Sequence, residues 1–329
     1  MIAGRSVELA WQMVNRLRRE LYRRGRLSPR KLPRPVISVG NLAVGGSGKT
    51  PVTIAIAREL IRRGHKVAIL TRGYRGTVVD GWAIVTGQDP ARYGDEPVLL
   101  AQSLPGTDVI VGRDRYRAGS EYLKSRECDL FMLDDGFQHM QLHRDVDVVL
   151  VDSSARWSRE GKSALSDADL ILFRSDRDTR GGPEEMRAKL EPRALHWRSE
   201  TSQLDRLHGM RVVAFSGLAN NQQFFDSVRR LGATVIDVVE FPDHTRYSVD
   251  DLERVERSVQ FHGADFAVTT QKDFVKIGDP EVAWIEVEMT IEPDGLFFER
   301  LFELLSTAQP FRDVAGFSGE SRPGSDHRT

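Results

Sequence analysis

The chain has 329 residues, 40% of them apolar, which is material for two domains at roughly 150 residues each. A net charge of −1 argues against a chain that binds nucleic acid through bulk positive charge, and a single cysteine excludes a disulfide framework. No apolar run approaches the roughly 20 residues of a membrane span, and the N-terminus lacks the apolar core of a signal peptide.

Charge is unevenly placed. Residues 1–34 hold Arg5, Arg16, Arg18, Arg19, Arg23, Arg24, Arg26, Arg30, Lys31 and Arg34 against only Glu8 and Glu20. Within them Val7, Ala10, Met13, Val14, Leu17 and Leu21 recur at steps of three and four, which predicts an amphipathic helix with Arg16, Arg19 and Arg23 off its apolar stripe. Trp11 and Tyr22 flank that stripe. Two readings stand: a surface helix packed through the stripe, or a helix lying on an anionic membrane face. Pro33 and Pro35 end the segment.

Strands and helices then alternate. "PVISVGN" reads as a strand, "TPVTIAIARELIRRGH" as a helix with Pro51 in its first turn, and "KVAILTRGY" as a strand. "DEPVLLAQSL" is helical, "DVIVG" a strand, "RDRYRAGSEYLKSR" helical, and "CDLFMLDDG" and "DVDVVLVDS" are strands. This order predicts a parallel, doubly wound sheet, and continuous apolar runs such as "DVVLV" suit strands covered on both faces. Cys128, inside a strand-like run, is expected to be a buried, inert thiol.

The pattern weakens over "SSARWSREGKSALS", a loop with a short helix, and returns with the strand "DADLILFRSD" and the polar "RDTRGGPEE". A second alternating block follows: "MRVVAFSGLAN", the helix "NQQFFDSVRRLG", the strand "ATVIDVVEF", a helix capped by Ser248, and the strands "ADFAVTT" and "VAWIEVEMTI". "DGLFFERLFELLSTA" is a closing helix, and the Gly/Ser-rich tail is expected to be disordered. No internal repeat is visible.

"AVGGSGKT" carries the first chemistry. Ala43, Val44, Gly45, Gly46, Ser47, Gly48, Lys49 and Thr50 match the phosphate-loop pattern with alanine in the first glycine position. Glycines let backbone N–H groups turn toward phosphate, and the following helix adds the positive end of its dipole. Lys49 would reach the β- and γ-phosphates of ATP, and Thr50 would ligate Mg²⁺. "DLFMLDDGFQH" places Asp134 and Asp135 at the end of an apolar strand, as a second Mg²⁺-binding element would be. His139 could contact substrate or be a turn histidine; both readings stand. By itself Asp95, in "YGDEP", reads as a helix N-cap, and His244, in "FPDHTRY", as a loop histidine.

Two classes fit such a loop. Partner-sorting ATPases carry an extra lysine where Val44 stands, which weakens that reading, although Gln138 could still orient a water. Small-acceptor kinases need a base beside the acceptor hydroxyl. Together, "SVGNLAVGGSGKTP", "TRGY", "GDEP", "RDRY", "LDDGFQH", "FSGLAN", "FPDHTRYS" and "TTQKDFVK" resemble, in order, the tetraacyldisaccharide 4'-kinase family of lipid A biosynthesis.

That resemblance implies transfer of the γ-phosphoryl of ATP to the 4'-hydroxyl of an acylated, 1-phosphorylated glucosamine disaccharide. It implies work at the cytoplasmic face of the bacterial inner membrane, by a monomer that binds no nucleic acid. It also implies an α/β fold: a P-loop NTPase-like doubly wound parallel sheet with a second, smaller α/β/α lobe and a basic amphipathic N-terminal helix. Ala43–Thr50 would be the phosphate loop, Asp134 and Asp135 the Mg²⁺ carboxylates, and Asp95 and His244 a catalytic pair with Asp95 as base. Arg72, His139 and Glu160 would be lesser contacts of the substrate. The expected divisions are a docking helix over 1–34, a kinase domain over 35–152 and a smaller lobe over 153–292. A helix over 293–310 would pack back on the kinase domain, ahead of a tail over 311–329. The segment after "VVLVD" is shorter than the family's, with Arg159-Glu160 retained.

Overall fold

The computed structural model describes residues 2–42, 48–78, 81–152, 160–174, 186–292 and 294–308, so the loop residues Ala43–Ser47, Arg159 and the tail lie outside the described residues. Helix α1 (Ile2–Arg23) leads through the Pro33–Pro35 segment into β1 (Val36–Asn41), α2 (Lys49–Arg62), β2 (Val67–Thr71), β3 (Trp82–Ile84), α3 (Pro90–Tyr93) and α4 (Asp95–Ser103). There follow β4 (Asp108–Gly112), α5 (Arg115–Tyr122), β5 (Leu130–Asp134), β6 (Val146–Val151), a 3-10 turn at Lys162–Asp167 and β7 (Leu170–Arg174). The second half contains β8 (Arg187–Trp197), β9 (Glu200–Ser202), β10 (Arg211–Ser216), α6 (Asn221–Arg230), β11 (Thr234–Glu240) and α7 (Val249–His262). It ends with β12 (Phe266–Thr270), α8 (Gln271–Ile277), β13 (Ala283–Glu292) and α9 (Asp294–Thr307).

Among the described residues the strands form one sheet in the order β11-β10-β12-β13-β8-β7-β6-β1-β5-β2-β4-β3, with β9 on β8. The pairs of β1, β2, β5, β6 and β7 with one another are parallel, as are β10 with β11 and β12. The doubly wound expectation holds because β1, β2 and β5 are buried at every position, so both faces demand apolar side chains. On one face α2 and α9 supply Val52, Ile56, Leu60, Phe297, Leu301 and Leu305 to a core shared with β1 and β5. On the other, Ala118 and Tyr122 of α5 pack with Leu70, Phe131 and Cys128. Burial pushes the Cys128 thiol up to about 12, consistent with an inert core residue.

An antiparallel ribbon of β8 and β13 joins the two alternating blocks. Sequence reading missed β8. Charged residues and Pro192 interrupt its pattern, and the register shifts between Glu286 and Val287, which face Ala194 and Pro192. Arg193 is thus extra, and the proline, which has no N–H to donate, sits at that bulge. Helix α8 was also missed, because seven residues are too few to show a period; Thr270 caps it by accepting from the Asp273 N–H. Ser248 caps α7 in a reciprocal box with Asp251, as its position suggests.

Gly40 marks the tightest approach near the loop. A Cβ there would lie 2.4 Å from Cβ of Phe137 and 2.9 Å from its backbone nitrogen. Gly40→Ala must therefore push β1 away from the "DDGF" turn. Overpacking of this kind costs about 2 kcal/mol, so the urea midpoint should fall with an unchanged slope; an unmoved midpoint would show that the turn yields freely.

Candidate active site

The phosphate loop ends in Gly48, whose backbone is left-handed (φ 91°), and α2 begins at once with Lys49 and Thr50. A Cβ on Gly48 would also meet Met289 Cε at 3.1 Å, a tight contact, but it is the left-handed conformation that favours glycine here. The first turn of α2 thus presents its N–H groups at the C-terminal end of the parallel strands, where doubly wound sheets bind ligands.

Beside it stands the end of β5. Asp134 is buried, and it accepts from Thr53 Oγ1 at 2.9 Å and from Thr50 Oγ1 at 3.3 Å. Asp135 has positive φ (55°) and lies 3.5 Å from the Lys49 ammonium. The turn is fastened to β1: Gly136 N donates to Val39 O at 3.0 Å, and Gln138 Nε2 donates to Asn41 O at 2.8 Å. Burial, then the charges of Glu96 and Asp135, raise the Asp134 carboxyl well above its usual range. Packing two carboxylates this close is unfavourable until a cation neutralises them.

Asp95 and His244 are 149 positions apart, yet Oδ2 of one lies 2.9 Å from Nδ1 of the other. Asp95 is not the cap of α4. That position is Gly94, which makes no side-chain bond, and Asp95 is instead buried in the first turn with its carboxylate on the histidine. Gly94 is needed because a Cβ would strike Tyr74 O at 2.6 Å, so the "TRGY" loop locks the start of α4. His244 has positive φ (59°), and its carbonyl accepts from Arg75 Nη1 at 2.7 Å. Tyr74 packs edge-on to its ring, with centroids 5.5 Å apart. Such strain at a paired, half-buried histidine is typical of functional positions.

His139 lies 3.4 Å from Nη1 of Arg115, which is itself buried and within the fields of Arg72, Asp134 and Asp135. Burial first, then Arg115 and Arg144, drive the His139 ring down to about 3, so it is neutral at physiological pH and offers hydrogen bonds only. Arg115, depressed by burial to about 10, remains a cation. The sequence contained Arg115 within "RDRY" but nothing singled it out.

Glu160 lies elsewhere, under α1. The Arg19 guanidinium bonds Glu160, Asp167 at 2.9 Å and Phe137 O at 3.4 Å, and stacks over the Phe137 ring at 4.1 Å. Arg23 also binds Asp167. Helix α1 therefore faces the protein with polar Asn15 and Arg19, both buried, while Trp11, Met13, Val14 and Leu17 are 50–73% exposed. Met13, Val14 and Leu17 of the apolar stripe are thus not on its packing face.

Comparison with known proteins follows the same lines. Residues 3–306 match the family model described as tetraacyldisaccharide-1-P 4'-kinase. The tetraacyldisaccharide 4'-kinase of Pelobacter propionicus is 38% identical over 292 residues, covering 82% of this chain and 81% of that protein. The enzyme of that name from Geobacter sulfurreducens is 39% identical over 291 residues, covering 80% and 81%. The crystal structure of LpxK from Aquifex aeolicus in complex with ATP superposes with a TM-score of 0.76 at 30% identity, covering 92% of this chain and 99% of that one.

The Asp95 contact has a pH signature. Burial alone would raise its carboxyl. The bond from His244, with the positive charge of that ring when protonated and of Lys272, outweighs burial and holds it at about 2 against an ordinary 3.8. A depressed acid stabilises the fold fully above 3.8, and that contribution disappears as pH falls through about 2. Asp95→Asn should therefore cost about 2 kcal/mol at neutral pH. The gap from wild type, measured by urea unfolding at a series of pH values, should close toward pH 2. A gap that stays constant with pH would contradict the assignment of Asp95 as a carboxylate held ionised by its contact with His244.

Proposed function

The chain belongs to the tetraacyldisaccharide-1-P 4'-kinase family, and we infer that it transfers the γ-phosphoryl group of ATP to the 4'-hydroxyl of an acylated glucosamine disaccharide 1-phosphate. The product is lipid IVA, in lipid A biosynthesis. The observation that carries the reading is the Asp95–His244 contact, 2.9 Å, in a fold where Glu96, the neighbour of Asp95, lies within the field of Asp134 beside the phosphate loop. A base and a nucleotide-binding element thus share one region. The other candidate, an ATPase switch, is not favoured: the amide nitrogen of Gln138 is held on Asn41 O, fixing the side chain as a strut of the turn.

Phosphoryl transfer asks the protein for positioning and charge more than for covalent chemistry. Lys49 and the α2 N-terminus would hold the phosphates of ATP. Thr50, Asp134 and Asp135 suit Mg²⁺, which takes one or two carboxylates, waters and phosphate oxygens in place of an all-protein cage. Bound there, the ion would neutralise charge on the β- and γ-oxygens. Asp95 accepts the proton of the sugar hydroxyl, with its carboxylate oriented by His244. Arg115, within the fields of Asp134 and Asp135, and Arg72, within the field of Arg115, are cations suited to anionic groups of the substrates, and His139 adds a neutral hydrogen-bonding group.

Helix α1 would dock on the anionic cytoplasmic surface of the inner membrane. Its Trp11, Met13, Val14 and Leu17 side chains are exposed, its segment is strongly basic, and among the described residues no helix is long and apolar enough to cross a membrane. We assign Glu160 a supporting part, fastening that helix beside the Phe137 turn. A monomer is sufficient for this scheme.

Labelled ATP incubated with membrane lipid should move label into a lipid; label released only as free phosphate would defeat the kinase reading. In the same assay Asp95→Ala and His244→Ala should each lose roughly a hundredfold or more. The double variant should be scarcely worse than either, because residues working as a unit are not additive; losses that multiply would dissolve the pair.

Docking is tested with Leu17→Glu, which alters a side chain 62% exposed and spares the inward contacts. Co-sedimentation with anionic vesicles should fall for this variant. Salt should weaken the wild type, since screening acts over roughly 10 Å at 0.1 M. Equal sedimentation of both proteins at low salt would leave the stripe without a membrane role.

A further inference from the structure

His244 has a second partner. At the ring nitrogen away from Asp95, the Lys272 ammonium lies 3.3 Å from Nε2. The groups around the imidazole are few. Asp95 comes from α4, Lys272 from α8 and Asp243 from its own loop, with Oδ1 3.8 Å from Nε2 and 3.6 Å from the ammonium. From the "TRGYR" loop come the Tyr74 ring edge and Arg75, which bonds the His244 carbonyl and not the ring.

The backbones that carry Lys272 and His244 are tied together. The carboxylate of Asp273, fully buried, accepts from Gly217 N at 3.1 Å, Thr270 Oγ1 at 2.8 Å and Lys276 Nζ at 2.8 Å. Gly217 O in turn accepts from His244 N at 3.3 Å. The ammonium is therefore delivered to the ring by a braced framework and does not reach it from a free surface chain; Lys272 is only 18% exposed.

Proton counting then leaves one arrangement. An ammonium has donors and no acceptor, so the Nε2 it meets must be bare. A carboxylate only accepts, so the Nδ1 it meets must carry the hydrogen. A proton on Nε2 would set donor against donor at 3.3 Å. We propose that Lys272 is a positioning residue that fixes His244 as the neutral tautomer protonated on Nδ1, with that N–H aimed at Asp95 Oδ2. This rests on the reading of Asp95 as the base and adds a direction to it. The proton leaving the sugar hydroxyl goes to the carboxylate of Asp95, while the lone pair on Nε2 stays engaged by the lysine. Asp243 Oδ1, 3.6 Å from the ammonium, balances its charge.

Imidazole nitrogen NMR on the isotope-labelled full chain at neutral pH reads the tautomer directly, with His244→Ala to assign the signal. The wild type should show a bare Nε2 and a protonated Nδ1. In Lys272→Met, Nε2 should take up a proton, and kcat should fall roughly tenfold or more with the KM for ATP unchanged. Lys272→Arg, which keeps a donor, should retain the wild-type tautomer. A wild-type ring protonated on Nε2, or a Lys272→Met enzyme with wild-type kcat, would overturn the assignment. A wild type that moved no phosphoryl group to lipid would instead defeat the kinase reading and leave the tautomer result standing.

Discussion

Everything at the site hangs on a 2.9 Å contact between two residues that sequence holds 149 positions apart. Neither partner is sufficient. A carboxylate in the first turn of a helix is comfortable and hence a weak base, and a lone loop histidine has no reason to be oriented. Joined, they would make a directed acceptor. The contact exists because the β8–β13 ribbon brings the second alternating block against the first, and because the "TRGY" and "FPDH" loops grip each other through Arg75 and the His244 carbonyl. Two strained loops and one antiparallel ribbon thus bear the cost of one hydrogen bond.

The phosphate end is built on a different principle, that of enforced crowding. Asp134 lies within the fields of Glu96 and Asp135, and it is buried with hydrogen bonds from the two threonines of α2. In isolation this concentration of negative charge is unfavourable, and Lys49 offsets part of it. An arrangement of this kind favours whatever brings positive charge, so a metal ion would relieve a strain built into the fold.

Much of this was legible in the sequence, for identifiable reasons. The strands of the first block are buried on both faces and so read as unbroken apolar runs, and the phosphate loop is read from spacing alone. Pairing between Asp95 and His244 came from resemblance, because no local pattern records a contact between distant loops. Strand β8 was hidden by Pro192 and its bulge, and α8 by its length. Helix α1 was seen as amphipathic, but periodicity gives the stripe and not the side it faces. Arg19, off the stripe, is buried, and Lys272 is not legible because a lysine in a polar run resembles ordinary surface.

The inverted helix changes which substitutions the chain can survive. In an ordinary surface helix the apolar positions are constrained by shape and the polar ones drift. Here Met13, Val14 and Leu17 meet no protein jigsaw, so packing places no constraint on their shape. Arg19 must reach Glu160, Asp167 and the Phe137 carbonyl with one planar fork while lying flat on an aromatic ring. Lysine, with a single ammonium, cannot reproduce that. Along α1, then, evolutionary drift should concentrate in the hydrophobic residues, with the buried arginine as the fixed point.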